Sequence, residues 1–278
     1  MATLNINGIN IYYESYGEGI PVVLTYGLGG STRQWTPQIE AFSERYRLIL
    51  WDTRGHGQSD SPRNSDEYGM EISASDLMEL LASLSISYAY IGGLSMGGGV
   101  ATRFALTYPS IVKGLLLMDS AAAVGHRMSE TGRAMREATI ELALTKGMAA
   151  VAEFSLRNNP NIIGRASRGS HAVDQVRAMY ESLDPVGYAH SVRALIDPSP
   201  LSKPLSEINA PTLAIAGEQD PSLHAMRRLH QKISTSKLVV IPEAGHLSNW
   251  DQPDKFNQEV LAFLAETDSG RIPGNNDS

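Results

Sequence analysis

The sequence predicts an α/β fold, a mostly parallel sheet of about eight strands flanked by helices, with a helical insertion in the middle of the chain. Three observations carry this expectation. Short runs rich in β-branched and aliphatic residues recur, and they are nearly continuous, as strands covered on both faces are. Helix-like segments separate them, an alternation that favours parallel pairing with helices on both sides. One stretch, Gly125 to Asp197, carries helical patterns and no convincing strand.

Taken in order, the chain opens with polar and apolar residues alternating about Asn7-Gly8. This predicts a hairpin over Leu4 to Tyr13 with a tight turn. Strands are expected over Pro21 to Tyr26 (PVVLTY), Arg47 to Trp51 (RLILW), Tyr88 to Gly92 (YAYIG) and Val112 to Met118 (VKGLLLM). Two more follow over Pro211 to Ala216 (PTLAIA) and Lys237 to Ile241 (KLVVI). Helices are expected between them, over Thr36 to Tyr46, Ser73 to Leu84, Met96 to Thr107, Ser222 to Ile233 and Pro253 to Leu264. Ser73 followed by Asp76 marks a start for the second of these. Inside the insertion, Arg133 to Lys146 and Ala172 to Leu183 are amphipathic candidates. The expected organisation is one core from residues 1–124 and 198–267, with 125–197 as a helical cap. The cap either covers the sheet edge as a lid or extends the helical layer of the same domain. Residues 268–278 (DSGRIPGNNDS) are polar and contain Gly and Pro, and a disordered tail is expected there. No internal repeat is visible.

Bulk properties narrow the function classes. A chain of 278 residues buries enough surface to need neither a metal nor a disulfide for its core. Lys and Arg number 23 against 30 Asp and Glu, a net charge of −7. That balance disfavours nucleic acid and anionic membrane as partners, because binding phosphates needs a basic face. With no cysteine there is no disulfide, no thiol nucleophile and no iron–sulfur ligation. The start, MATLNINGIN, lacks the basic residues and apolar run of a secretion signal. Apolar runs such as Leu115-Leu116-Leu117-Met118 are far too short to span a bilayer. A soluble cytoplasmic protein is the expectation. No phosphate-binding glycine pattern can be threaded through the glycine clusters, and the seven histidines have no metal-ligand spacing such as H-E-x-x-H. Neither a cofactor nor a metal is expected.

The strongest local pattern is Gly93-Leu94-Ser95-Met96-Gly97, a G-x-S-x-G between a predicted strand and a predicted helix. A hydroxyl exposed on so sharp a turn suits nucleophilic attack, whereas a glycine-rich turn with an incidental serine needs no such context. Serine is a weak nucleophile and needs a base. His246 lies just beyond the strand ending at Ile241, and Asp220 just beyond the strand ending at Ala216. All three sit past the C-terminal ends of parallel strands, where open α/β sheets bind ligands. Their order, Ser95, Asp220, His246, is the α/β-hydrolase order. Asp119 is the rival for the acid, and Glu218 a weaker one. Attack on an ester generates an oxyanion that needs N–H donors. The loop Tyr26-Gly27-Leu28-Gly29-Gly30-Ser31 can turn amides inward, so the backbone N–H groups of Leu28 and Met96 are the candidates. His56 lies in the polar run Asp52 to Ser59 but precedes Ser95, and that run is expected to be a structural loop.

With these residues in hand, the chain resembles the α/β-hydrolase superfamily over nearly its whole length. Within it the resemblance is to the 3-oxoadipate enol-lactonase group and related carboxylesterases. DTRGHGQSD (Asp52 to Asp60), GLSMGGGVA (Gly93 to Ala101), DPVGYA (Asp184 to Ala189) and AGHLSNWDQP (Ala244 to Pro253) carry it. The resemblance implies the Ser95, Asp220 and His246 assignment and a helical cap over 125–197. It implies a serine hydrolase that cleaves a small-molecule carboxylic ester or lactone through an acyl-enzyme on Ser95. A C–C bond hydrolase or haloperoxidase-like enzyme uses the same residues, and a ligand-binding receptor with little turnover is the rival of another class. Aspartate nucleophiles, as in dehalogenases and epoxide hydrolases, are disfavoured by Ser95. One departure is Tyr26-Gly27, where the superfamily often has His-Gly, and this puts the substrate in question. Tyr26 and Trp250 are weak candidates for substrate binding. Met128, Met135, Met148, Phe154, Met179 and Tyr180 are pocket candidates, or simply core. The cap holds nine Lys and Arg against eight Asp and Glu, about +1 against −8 elsewhere, which faintly suits an anionic substrate. Oligomeric state is not legible in the sequence.

Overall fold

A strand buried on both faces sends alternate side chains into opposite layers, and this sheet does so residue by residue. In the computed structural model, which describes residues 1–124 and 128–270, the strands are β1 (Ala2–Ile6), β2 (Ile9–Tyr16), β3 (Pro21–Thr25), β4 (Arg47–Trp51), β5 (Ala89–Leu94), β6 (Val112–Met118), β7 (Thr212–Gly217) and β8 (Ser236–Ile241). They form one sheet in the order β1-β2-β4-β3-β5-β6-β7-β8. The β1/β2 and β2/β4 pairs are antiparallel and the rest parallel. Val23, Leu115, Leu117, Ala214 and Ala216 face one layer, and their neighbours Val22, Leu24, Leu116, Met118, Leu213 and Ile215 face the other.

The first layer is closed by α2 (Met70–Ser83), α3 (Met96–Thr107) and α9 (Leu223–Lys232), through Leu77, Leu80, Val100, Phe104, Met226 and Leu229. The second is closed by α1 (Ile39–Ser43) and α11 (Pro253–Asp268), through Phe42, Phe256, Val260 and Phe263. Between β6 and β7 the described residues include the α-helices α4 (Glu130–Lys146), α5 (Met148–Asn158), α6 (Pro160–Ala166), α7 (Ser170–Glu181) and α8 (Pro185–Ile196). These gather a third apolar cluster of their own around Ile140, Val151, Val176, Tyr188 and Val192. A short α10 (Ser248–Asp251) precedes α11. No helix of the described residues is long and apolar enough to cross a membrane.

The departures from expectation have local causes. The second helix starts at Met70 and not Ser73, because Gly69 O already accepts the Ser73 N–H. Asp76, the other half of the apparent start signal, is held by Arg54 at 2.8 Å and by Asn7. The segment predicted as a helix over Thr36 to Tyr46 splits into a 3₁₀ helix, Thr32–Gln38, and the five-residue α1. Pro37 lacks the N–H that a continuous α-helix would use there. At the other end, α11 runs on to Asp268, whose carboxylate accepts the Tyr46 and Tyr90 hydroxyls at 2.9 and 2.7 Å. Asp268 therefore belongs to the helix and not to the expected tail, whose residues 271–278 lie outside those described.

At the centre of the sheet β5 hands over to α3 with no loop between them. Ser95 is the joint, and it adopts φ 54°, a left-handed backbone uncommon outside glycine. Its N–H donates to Met118 O at 2.9 Å, and Gly97 N–H to Tyr26 O at 3.0 Å. Backbone meets backbone here. A Cβ at Gly93 would collide with the Gly97 carbonyl, and one at Gly97 with the Thr25 carbonyl.

Gly93→Ala is therefore expected to destabilise the protein by about 3 kcal/mol or more. Gly164→Ala, in α6 with open space around the glycine, should stabilise by about 0.5–1 kcal/mol. Urea unfolding midpoints of the two variants beside the parent check both signs.

Candidate active site

Three strand ends deliver three side chains to one point. Ser95 follows β5, Asp220 lies three residues past β7, and His246 five residues past β8. His246 Nε2 is 2.9 Å from Ser95 Oγ, and His246 Nδ1 is 2.9 Å from Asp220 Oδ1. A carboxylate only accepts, so the hydrogen bonding assigns the proton to Nδ1 and leaves Nε2 to accept from the serine hydroxyl. Asp220 also takes the Ser222 N–H at 2.9 Å and the Ser222 hydroxyl. Burial alone would raise the Asp220 pKa. The adjacent His246 and the hydrogen bonds from His246 and Ser222 outweigh it and hold the group at about 2. A serine hydroxyl on an imidazole that a buried carboxylate steadies can pass its proton to that imidazole while attacking a carbonyl.

The rival acids are placed elsewhere. Asp119 is wholly buried and accepts from Gly217 N–H at 2.8 Å and from Ser248 N–H at 3.2 Å and its hydroxyl. Burial first, and then the neighbouring Asp220 charge, push its pKa well above the carboxylate range. Glu218 is exposed and accepts the Glu243 N–H.

The loop after β3 faces Ser95. As the first residue of α3, Met96 has an N–H with no intrahelical partner. The Leu28 N–H has no hydrogen-bond partner among the described residues either. The loop is braced from behind. Gly29, at φ 83°, donates its N–H to His56 Nε2 at 3.3 Å, and Gly27 N–H to Gln34 Oε1 at 3.3 Å. Asp52 in turn accepts Thr32 N–H and Gln58 N–H, each at 2.8 Å. His56 thus sits in a structural loop.

Over these residues opens a cleft with two lobes of about 650 and 990 Å³, measured out to the open mouth. Ser95, His246, Arg136 and Asn161 line both. Leu28, Met135, Phe154, Met179 and Tyr180 line the first lobe, and Met70, Met96 and Met128 the second. The helices from α4 to α7 contribute much of this wall.

Three sequence candidates belong elsewhere. Tyr26 is 0% exposed, and its hydroxyl accepts the Thr53 N–H at 2.8 Å, so it braces the next loop and does not line the cleft. Trp250 donates Nε1–H to Gln34 O and lies under the Arg165 guanidinium at 5.1 Å. Met148 is packed inside the helical cluster. Sequence reasoning passed over Arg136, Asn161 and Gln34, all of which line the cleft. It also passed over Asp251, a carboxylate 1% exposed that joins the helices to the histidine loop. Asp251 accepts Gly245 N–H at 2.8 Å and pairs with Arg165 and Arg168 at 3.0 Å each.

Comparison with known proteins supports the fold. The profile described as the alpha/beta hydrolase fold matches residues 20–253. The chain is 30% identical over 275 residues to 3-oxoadipate enol-lactonase 2 of Acinetobacter baylyi, covering 94% of this chain and 96% of that one. The crystal structure of the enol-lactonase from Burkholderia xenovorans LB400 superposes with a TM-score of 0.83 at 28% identity, over 95% of this chain and all of that one. Bromoperoxidase from Bacillus anthracis superposes with a TM-score of 0.80 at 28% identity, over 95% and 99% of the two chains.

The bracing loop predicts a pH dependence. Burial lowers the His56 pKa from 6.5 to about 4, so the unfolded chain binds the proton more readily between those values. The stability this group contributes is fully present above pH 6.5 and is lost as pH falls towards 4. Burial raises Asp52 from 3.8 to about 6, which has the opposite sign, since acidification through that window favours the fold. His56→Gln should therefore lose less stability than the parent between pH 6.5 and 4, by an amount on the order of 3 kcal/mol. Urea unfolding at several pH values measures it, and parallel curves for the two proteins would contradict it.

Proposed function

The chain belongs to the alpha/beta hydrolase fold family, and from that premise we propose that it hydrolyses a small-molecule carboxylic ester or lactone through an acyl-enzyme on Ser95. The observation that supports this best is the single run of hydrogen bonds from Asp220 Oδ1 through His246 to Ser95 Oγ, both at 2.9 Å. In this reading His246 takes the Ser95 proton as Oγ attacks the carbonyl carbon. The carbonyl oxygen becomes an oxyanion held by the Leu28 and Met96 N–H groups. His246 then gives the proton to the leaving alcohol oxygen. A water, deprotonated by His246, attacks the acyl carbon and releases the acid and Ser95. Asp220, ionised at all working pH values, steadies the imidazolium. The helices over 125–197 act as a cap that shapes the cleft. A cytoplasmic location, fitting a chain without cysteine, is part of the same reading.

A second reading rests on the likeness to bromoperoxidase. The same three residues would then serve haloperoxidase-like chemistry, and halogenated products formed in the presence of bromide and peroxide would mark it.

Ser95→Ala is expected to cut turnover of a p-nitrophenyl ester series, acetate to octanoate, by ~10⁶-fold. Residual activity near that of the parent would remove Ser95 from the role. A folded parent that hydrolyses none of the esters would shift the reading to C–C bond hydrolysis, the bromoperoxidase-like reaction or ligand reception.

A further inference from the structure

His246 ends a stretch of backbone that is held from two sides. On one side is the loop that carries Asp220. Glu243 N–H donates to Glu218 Oε2 at 3.2 Å, and Ala244 O accepts the Gln219 N–H at 2.8 Å. On the other side stand groups tied to the helices between β6 and β7. Glu243 O accepts from the Arg168 guanidinium, and Gly245 N–H donates to Asp251 Oδ2 at 2.8 Å. Glu243 sits at φ 56°, a left-handed backbone that a glutamate adopts at a cost, so the segment relies on these outside contacts to hold its course.

Asp251 closes α10 with a carboxylate that is 1% exposed. A charge so enclosed needs counterions at hand. Both come from one place. Arg165, in the last turn of α6, and Arg168, three residues on, each stand 3.0 Å from Asp251 Oδ1. Arg165 is fixed in turn by Gln175 of α7 at 2.6 Å and lies over the Trp250 ring. The two carboxylate oxygens thus have separate tasks, Oδ1 towards the inserted helices and Oδ2 towards the residue before His246. Asp251, Arg165 and Arg168 are not among the described residues that line the cleft.

We propose that Asp251 is a positioning residue for the general base, and that the inserted helices set it through Arg165 and Arg168. This rests on the reading of His246 as the base that serves Ser95. The contacts run from the two guanidiniums through the Asp251 carboxylate to the Gly245 N–H, and so to the backbone that carries the imidazole. They keep the ring between Asp220 and Ser95 with its proton on Nδ1. A displaced ring, or one in the other tautomer, cannot take the Ser95 proton. Acylation and deacylation both use His246, so loss of the latch slows turnover and leaves substrate binding alone.

The test measures kcat and KM for p-nitrophenyl butyrate. On the same proteins, two-bond proton–nitrogen correlation NMR reads the His246 tautomer at a pH where the imidazoles are neutral, with His246→Gln assigning the signals. Asp251→Asn should lower kcat by about 10–100-fold and leave KM within about threefold. Arg165→Met combined with Arg168→Met strips the carboxylate of its counterions and should act likewise. Both changes should bring up the Nε2–H tautomer, whereas the parent holds Nδ1–H. Arg133→Met breaks an exposed ion pair of the same helices away from the histidine loop, and should leave kcat within about twofold and the tautomer unmoved. Should Asp251→Asn fail to fold, Arg168→Met replaces it, since that side chain is 28% exposed. An unchanged kcat, a rise in KM alone, a fall in kcat with the tautomer unmoved, or an equal loss in Arg133→Met overturns the proposal. If the parent hydrolyses no ester, the hydrolase reading falls and the tautomer decides alone. A ring that stays Nδ1–H in Asp251→Asn then overturns the role of Asp251, and a shift to Nε2–H upholds it.

Discussion

The first turn of α3 lies against the backbone of β3 and β5 with no side chain between them, and the position of Ser95 follows from that contact. Gly93 and Gly97 leave room for carbonyls where any Cβ would collide. The helix can then start immediately after the strand, with Ser95 at φ 54° as the joint. That joint lifts the hydroxyl above the sheet and leaves the Met96 N–H, the first of α3, without an intrahelical partner. β3 sits beside β5, so the loop carrying Leu28 faces it. β7 and β8 lie two and three strands along from β5, so their loops bring in Asp220 and His246. Parallel strands put all these loops at one edge of the sheet.

Around that point buried charge is sorted with care. Two carboxylates, Asp119 and Asp220, lie close enough to perturb one another. Asp220 receives donors from the histidine and from Ser222 and stays ionised, whereas Asp119 is enclosed and is driven towards its neutral form. Only one negative charge is then left facing His246. Behind the loop after β3 the same economy recurs in His56, neutral through burial, which accepts an N–H that an imidazolium could not.

Much of this was legible in the sequence because it depends on local order. Alternating buried strands and helices, the G-x-S-x-G, and a His and an Asp just past strand ends are all features of short stretches of chain. What escaped depends on partners far apart. The Ser73 and Asp76 pair mimics a helix start, but Asp76 is spent on Arg54 from another loop. Tyr26 sits beside Gly27, Gly29 and Gly30 in sequence, yet it turns inward to Thr53. Arg136 is one of nine basic residues over 125–197, and its place on the cleft wall emerges only once the helices are folded over Ser95. The start of α8 was legible in the sequence and passed over: Asp184 caps a helix whose first residue is Pro185.

The wall of the cleft is rich in thioethers: Met135 and Met179 in one lobe, Met70, Met96 and Met128 in the other. In a chain without a single thiol, these are the groups a peroxide would reach first at the site. Oxidation would turn a pliable, apolar lining into one studded with fixed sulfoxide dipoles. The fold, whose three clusters are built mainly from aliphatic and aromatic side chains, would be touched far less. Oxidative ageing of this protein would accordingly begin as a change in what it admits, well before any loss of shape, and methionine sulfoxide reduction would reverse it.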